Sequence, residues 1–147
     1  MTEKTSTYRN LFLKVLPPRE LALLKPALQY AELKQGELLG EPGQDVSDVV
    51  FVEAGMVSLM TTMQDGTAIE IATLGREAIF GVLSALGNHR SNVRAVVQID
   101  AAGWKMRAAD FRELVEKTRT LRHLVLLASE LTLKPLAPAG LGLELWR

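Results

Sequence analysis

The middle of the chain, from about residue 29 to residue 107, consists of short apolar stretches separated by turn-forming residues. Ile69 and Ile71 alternate with Glu70, and residues 93–98 show the same alternation around Ala95 and Val97. A period of two residues places successive side chains on opposite faces of a strand. The pattern therefore predicts a series of short strands, without the alternating strand–helix rhythm of a parallel sheet.

Turn-forming residues set the limits of the predicted strands. Residues 49–53 and 56–63 are rich in β-branched side chains, and we expect two strands there, joined at Gly55. Asp65-Gly66 predicts a hairpin with a type I′ turn, in which both turn residues have positive φ. The other predicted strands are residues 30–34, 37–40, 69–72, 93–98 and 104–107.

Helical patterns are confined to the two ends of the chain. Residues 7–16 predict a short helix, and Pro17-Pro18 predicts the start of a second, since proline is tolerated in a first helical turn. A third helix is expected to open at Ala109. A fourth follows, with apolar residues at helical spacing, and Pro135 is expected to end it. Together these elements predict a mainly β fold, a β-sandwich or jelly roll (double-stranded β-helix), with helices at both ends.

Composition narrows the class of protein. The chain has 147 residues, of which 48% are hydrophobic, and this leaves room for one domain with its own core. Its 17 basic and 17 acidic residues cancel, whereas a DNA-binding surface usually shows a basic excess. The absence of cysteine excludes disulfides and cysteine-held zinc or iron–sulfur clusters. We expect a cytoplasmic protein, because no signal peptide and no apolar run of about 20 residues is present.

Catalytic and metal-binding motifs are missing from the sequence. It contains no Gly-x-Ser-x-Gly, no phosphate-binding P-loop and no His-Glu-x-x-His. His89 and His123 are far apart and have no carboxylates at ligand spacing, so the histidine cluster of a cupin-type jelly-roll enzyme is absent. We therefore expect neither an enzyme nor a metal site.

Residues 69–91 contain the most informative motif. A strand leads to Gly75, and Phe80-Gly81, a short segment of small residues and Arg90-Ser91 follow. A turn with free backbone N–H groups, followed by an arginine and a hydroxyl, can hold one phosphate. This order resembles the phosphate-binding cassette of cyclic-nucleotide-binding domains. It is most similar to the sensor domain of the CRP/FNR transcription regulators, the catabolite activator and the fumarate–nitrate regulator.

Other segments support the resemblance, which runs from about residue 11 to residue 133. Residues 33–37 resemble the strand and turn before the family's first hairpin, and residues 50–55 resemble its strand that ends in glycine. The resemblance implies a sensor domain over residues 1–134, with a β-roll at about 29–107 and C-terminal helices at about 108–134. The missing cysteines remove the oxygen-sensing branch of that family.

The resemblance also implies where a ligand would bind. Gly81 corresponds to the cassette glycine, Arg90 to the phosphate partner and Ser91 to a neighbouring hydroxyl donor. Arg94 is an alternative to Arg90, because the segment between Gly81 and Arg90 is shorter than in the nucleotide-binding members. The ligand-binding residues expected on this basis are Phe80, Gly81, Val82, Leu83, Arg90, Ser91 and Arg94. The implied ligand is a cyclic nucleotide or another small phosphate-containing anion, and no further cofactor is expected.

Two departures from the family pattern change the expected function. Nucleotide-binding members carry a glutamate directly after Phe-Gly, where it holds the ribose 2′-hydroxyl, and this chain has Val82. The regulators also continue into a helix-turn-helix. Here residues 135–147 predict a short irregular tail without a DNA-binding domain, so we expect no direct DNA binding.

The fourth helix is interpreted as a dimer helix. Its apolar residues lie on more than one face, and a monomer would expose an apolar stripe. The residues assigned to the homodimer are Leu121, Leu124, Val125, Leu127, Ala128 and Leu131. The sequence thus predicts a ligand-sensing regulatory domain coupled to a dimer helix. The alternative is a module without a ligand that serves in dimerisation or protein interaction.

Overall fold

The computed structural model describes residues 8–133, apart from Asn88 and Asn92. Its helices are α1 (Leu11–Val15), α2 (Pro18–Leu24), α3 (Val82–Leu86), α4 (Ala108–Lys117) and α5 (Arg119–Leu133), and a turn of 3-10 helix follows α2 at Lys25–Ala27. Its strands are β1 (Gln29–Leu33), β2 (Leu38–Gly40), β3 (Asp48–Thr62), β4 (Ala68–Leu74), β5 (Ile79–Phe80) and β6 (Arg94–Arg107). The predicted tail at 135–147 lies outside the described residues.

All paired strands run antiparallel. Their order is β1–β6–β3–β4, while β2 also pairs with β6 and β5 with β3. The two longest strands, β3 and β6, lie side by side and carry the shorter ones. The mainly β architecture with helices at both ends is confirmed. None of the described helices is long and apolar enough to cross a membrane.

The prediction of two strands joined at Gly55 is wrong, because β3 is continuous through this position. Its register against β6 shifts between Val52 and Ala54 and again between Ala54 and Met56. Gly55 has a φ of 81°, and a Cβ there would lie 2.5 Å from the Cα of Ala101. The glycine therefore forms a β-bulge that bends the strand without ending it.

The second long strand, β6, was also predicted as separate pieces. Residues 94–98 and 104–107 belong to one strand, Arg94–Arg107, and Val93 lies just before it. The alternation itself is confirmed, since Ala95 and Val97 are buried while Val96 is half-buried and Gln98 is exposed.

The hairpin between β3 and β4 is present, but its predicted type I′ turn is wrong. Gly66 has a φ of 91°, whereas Asp65 does not adopt positive φ. The Gly66 N–H donates to the Met63 carbonyl at 2.9 Å, and the Met63 N–H donates to the Thr67 carbonyl at 2.8 Å. This is a three-residue loop that ends in a left-handed glycine. The Thr67 N–H also donates to the Asp65 carboxylate, and this bond lowers the pKa of Asp65.

Successive residues of β3 face two different clusters of buried side chains. Val49 and Phe51 face one side and Val50 faces the other, because strand side chains alternate. The helix-side core lies under the helices and includes Phe12, Leu24, Phe51, Val82, Ala85, Phe111, Val115, Leu121 and Val125. The roll core lies between the strands and includes Leu33, Val46, Val50, Val57, Leu74, Phe80, Ala95 and Val97.

A buried polar network attaches α1 to the roll. The Asn10 side chain donates to the carbonyls of Val52 at 2.8 Å and Ala78 at 2.9 Å, and it caps α1 by accepting from the Leu13 N–H at 3.2 Å. The carboxylate of Glu53 accepts from the Asn10 N–H at 2.8 Å. These partners satisfy buried polar groups that would otherwise be costly, so α1 has a fixed position on β3.

The C-terminal helix α5 packs mainly on its own subunit. Leu121 and Val125 are fully buried in the helix-side core, which corrects their assignment to a dimer contact. Leu124 and Ala128 are half-buried against the same core. Leu127 is 45% exposed and Leu126 is 53% exposed. Leu131 belongs to α5, but its side chain lies outside the described part of the structure.

Candidate functional site

The predicted cassette is a continuous turn–helix–turn between β5 and β6. β5 ends at Phe80, α3 follows directly after Gly81, and the chain then returns through Arg90 and Ser91 to β6. Phe80 is buried in the roll core. Leu83 lies in α3, although its side chain is not described. The structure thus brings most of the predicted ligand residues onto one short segment.

Gly81 is required by the fold at the start of α3. Its φ is 93°, and a Cβ there would lie 3.0 Å from the Asp48 carbonyl oxygen and 3.2 Å from Cγ1 of Val46. The Gly81 carbonyl accepts from the Ala85 N–H at 2.9 Å. Left-handed backbone and close approach to the chain's own loop both favour glycine here. The space next to Gly81 is therefore occupied by residues 46–48.

Val82, at the position of the family glutamate, faces inward. Its side chain is 5% exposed and belongs to the helix-side core. Ala85, one turn later on α3, belongs to the same core and is fully buried. The side of α3 that carries residue 82 is thus the side that packs on the protein.

Hydrogen bonds hold the return from α3 to Ser91. The Ser84 hydroxyl donates to the Arg90 carbonyl at 2.8 Å, and the His89 N–H donates to the Ser84 carbonyl at 2.8 Å. The His89 carbonyl accepts from the Val46 N–H at 2.9 Å. These bonds connect the end of the cassette both to α3 and to the loop before β3.

Ser91 is 3% exposed, and its hydroxyl is part of a local turn. The hydroxyl donates to the Val93 carbonyl at 2.5 Å and accepts from the Val93 N–H at 3.2 Å. A Cβ on Gly40 would lie 3.2 Å from the Ser91 Oγ, so Gly40 leaves room for the hydroxyl. A ligand that bonds Ser91 would therefore compete with the Val93 carbonyl.

The two candidate arginines differ in their surroundings. The Arg90 residue is exposed and forms a β-bridge with Asp45. The Nε of Arg94 lies 3.1 Å from Oε1 of Glu41, and 55% of the Arg94 side chain is exposed. An exposed ion pair of this kind contributes little to stability. Arg94 thus has an acidic partner on the loop that follows β2.

Two residues at the cassette were not found by sequence reasoning. Nη1 of Arg112, on α4, lies 2.7 Å from Nε2 of His89 and donates to the Ala85 carbonyl at 3.1 Å. His89 is exposed, and its ring has Arg112 as a partner. Nothing in the sequence around Arg112 indicates the contact, because it joins residues 23 positions apart.

The part of the chain that the structure describes contains no group of three or more His, Asp or Glu side chains able to hold a metal ion.

A family model described as the cyclic nucleotide-binding domain matches residues 30–118, more than half of the chain. The chain belongs to this family. Within the cyclic nucleotide-binding domain family, it is similar to the Global nitrogen regulator of Synechococcus elongatus, with 34% identity over 74 residues. That match covers 50% of this chain and 33% of the regulator. The resemblance to a CRP/FNR-type sensor domain is thereby confirmed.

Solved structures share the fold. A regulatory protein of Silicibacter pomeroyi matches with a TM-score of 0.70 at 20% identity, over 98% of this chain and 65% of that one. The regulatory subunit of a cAMP-independent protein kinase A from Trypanosoma cruzi, bound to guanosine, matches with a TM-score of 0.67 at 22% identity, over 78% of this chain and 42% of that one. The predicted jelly-roll fold is thus confirmed. The chain spans less than two thirds of the length of each of these relatives.

Proposed function

We propose that this chain is a cytoplasmic, non-enzymatic sensor domain of a CRP/FNR-type regulator, which binds a small phosphate-containing anion at its cassette. The observation that carries the proposal is the cassette itself. A left-handed glycine starts a short helix, and the chain then returns through an arginine and a serine. Backbone N–H groups at the start of a helix and a guanidinium are suitable donors for phosphate oxygens.

Arg90 is the phosphate partner in this proposal. Its carbonyl is bonded to the Ser84 side chain on α3, so its position depends directly on the cassette helix. Arg94 is instead paired with Glu41. A phosphate at Arg94 would have to displace that carboxylate or accept its repulsion.

Binding is proposed to act on α5 through the helix-side core. Val82 and Ala85 on α3 share this core with Leu121 and Val125 on α5. Cores are closely packed, so a shift of α3 on binding must be accommodated by the helices that pack on it. To act as a switch, the ligand would have to favour the shifted arrangement of α3 and α5 over the unshifted one by about 1–3 kcal/mol.

The cyclic nucleotides are expected to bind weakly. Val82 offers no carboxylate to the ribose 2′-hydroxyl, and its side chain lies in the core. A site that loses such a polar partner usually loses about 2–4 kcal/mol. We therefore expect no saturable binding of cyclic AMP or cyclic GMP at tens of micromolar, as measured by calorimetry. A dissociation constant below about 10 μM would show that the cassette does not need the glutamate.

The second candidate is a module without a ligand that serves in dimerisation or protein interaction. Two observations favour it. The Ser91 hydroxyl already has an acceptor in the Val93 carbonyl, and Arg94 is already paired with Glu41. In this case the cassette would be a structural turn that supports α5.

Titration with a panel of ligands, followed by NMR of backbone amides, separates the two candidates. The panel contains cyclic AMP, cyclic GMP, AMP, guanosine and inorganic phosphate. Guanosine lacks a phosphate and tests whether base and ribose are enough, as the T. cruzi subunit suggests. The proposal requires saturable shifts of the Gly81–Ala85 and Arg90 amides with at least one phosphate ligand. If no ligand shifts these amides at millimolar concentration, the second candidate holds.

Arginine variants then test the assignment. Arg90→Gln is expected to lower the affinity for the phosphate ligand by about 10- to 100-fold, the effect of losing one charged hydrogen bond. Arg94→Gln should have a much smaller effect. Arg119 is exposed at the start of α5, and Arg119→Gln is the matched control for the loss of one positive charge. Equal effects of Arg90→Gln and Arg119→Gln would place the anion elsewhere.

A further inference from the structure

Arg112 is the one described side chain on α4 that hydrogen bonds both to α3 and to the loop after it. Nη1 donates to the Ala85 carbonyl at 3.1 Å and contacts Nε2 of His89 at 2.7 Å. The Ala85 carbonyl lies in the last turn of α3, where helix carbonyls have no intrahelical partner. One guanidinium thus caps the helix and binds the loop at the same time.

The backbone that carries Arg112 is fixed. Phe111, its neighbour, is fully buried, and its ring lies 6.2 Å from that of Phe51 on β3. Val115 on the next turn of α4 belongs to the same helix-side core. A side chain extending from this anchored helix can hold a shorter element in place.

His89 is strongly constrained at the other end of the contact. It is the one non-glycine residue with positive φ, 70°, in the described part of the chain. Such a conformation persists where surrounding contacts hold it. Three contacts of His89 do so here. Its N–H donates to the Ser84 carbonyl, its carbonyl accepts from the Val46 N–H, and its ring contacts Arg112.

The contact also defines the state of the His89 ring. Arginine has only donors, so Nε2 must accept. While this contact is made, Nδ1 therefore carries the ring proton. This tautomer is a spectroscopic signature of the Arg112 contact.

The apolar contacts between α3 and the C-terminal helices lack this directionality. Val82 and Ala85 have apolar side chains. The free energy of burying them depends on the area removed from water and hardly on the orientation of the contact. Two hydrogen bonds from a planar guanidinium fix distance and orientation together. The polar contact can therefore set the register in which α3 packs on α4.

We propose that Arg112 is the positioning residue that sets the register of α3 and the His89 turn against α4, and that it thereby directs the ligand-linked shift of α3 that the helix-side core passes to α5. The coupling role, in which a ligand acts on α5, rests on the proposed function, whereas the positioning role of Arg112 does not. The positioning role is tested without any ligand.

The test uses the full chain and nitrogen-15 NMR of the histidine rings and backbone amides. The variants are Arg112→Gln, Arg112→Lys and His89→Asn, the last because asparagine tolerates positive φ. Arg122→Gln is the matched control, because Arg122 also donates to a backbone carbonyl, that of Glu116, at 2.8 Å, away from the cassette. His123, exposed on α5, is the internal reference for a ring without this contact.

In the unmodified chain we expect the His89 ring, but not that of His123, to hold its proton on Nδ1. Arg112→Gln should abolish this preference and speed hydrogen exchange at the Ala85 and His89 amides by about 2- to 10-fold, the effect of one hydrogen bond. Arg112→Lys should restore neither fully, because the rotating ammonium of lysine lacks the fixed donor directions of the planar guanidinium nitrogen Nη1, which makes both contacts. His89→Asn should speed exchange at Ala85 even if Arg112→Gln does not fold.

An unchanged His89 tautomer in Arg112→Gln, or exchange no faster than in Arg122→Gln, would overturn the positioning role. A further measurement adds the ligand that gives the largest cassette shifts. Arg112→Gln should keep those shifts but lose the accompanying change in α5 amide exchange, and retention of that change would overturn the coupling role. If no ligand shifts the unmodified chain, the proposed function fails, while the tautomer and exchange data still decide the positioning role.

Discussion

At the residue scale, position 82 shows that side-chain identity and side-chain direction are separate questions. The sequence indicates that the family glutamate is replaced by valine. The structure adds that the valine side chain is 5% exposed and packs in the helix-side core. Restoring the glutamate therefore would not by itself restore a ribose contact, because α3 would first have to turn.

Val82→Glu is accordingly expected to destabilise the chain and not to create a nucleotide site. We expect the free energy of unfolding to fall by about 2–5 kcal/mol at neutral pH, since a carboxylate must be desolvated or must disrupt the core. Urea unfolding monitored by tryptophan fluorescence measures this. Val82→Gln, similar in size but uncharged, is the control and should cost less. Tight binding of cyclic AMP by a stable Val82→Glu variant would contradict the inward orientation.

At the element scale, local patterns predict where strands lie better than how far they continue. Alternation around Ala95 and Val97 depends only on neighbouring residues and is confirmed. The continuity of β3 through Gly55 depends on the shifted register against β6. The paired residues there are separated by 43 to 51 positions in the sequence, so no local pattern indicates the pairing. The same limit applies to the site. The cassette order is visible in the sequence, but the Arg112–His89 contact arises only from the packing of α4 on α3.

The bulge at Gly55 can be tested against the hairpin glycine. Both Gly55 and Gly66 have positive φ, 81° and 91°, but a Cβ meets the Ala101 backbone at 2.5 Å only in the first case. Gly66→Ala should cost about 1–2 kcal/mol of unfolding free energy from backbone strain alone. Gly55→Ala should cost clearly more or prevent folding, as measured by urea unfolding. Equal losses would mean that β3 and β6 can separate at the bulge without cost.

At the scale of the whole molecule, one core supports both the N-terminal and the C-terminal helices that the structure describes. Phe12 and Leu24 from the first helices share the helix-side core with Phe111, Leu121 and Val125 from the last ones. This arrangement buries one face of α5 within the subunit. It leaves Leu126 and Leu127 outside, 53% and 45% exposed. Neighbouring exposed leucines on a helix whose other face is already packed favour contact with a second chain.

We therefore predict a homodimer in solution at about 50 μM, with an isologous contact centred on Leu127. Leu127→Asp should shift the species toward the monomer, because its carboxylate would have to be desolvated in an apolar contact. Leu23→Asp is the matched control, since Leu23 is 40% exposed on α2 and far from α5 in sequence. Light scattering should give twice the chain mass of 16.2 kDa for the unmodified chain and for Leu23→Asp, and a value approaching the single mass for Leu127→Asp. A monomer in all three cases would show that the exposed leucines do not mediate self-association, and the homodimer expected from the sequence would be wrong.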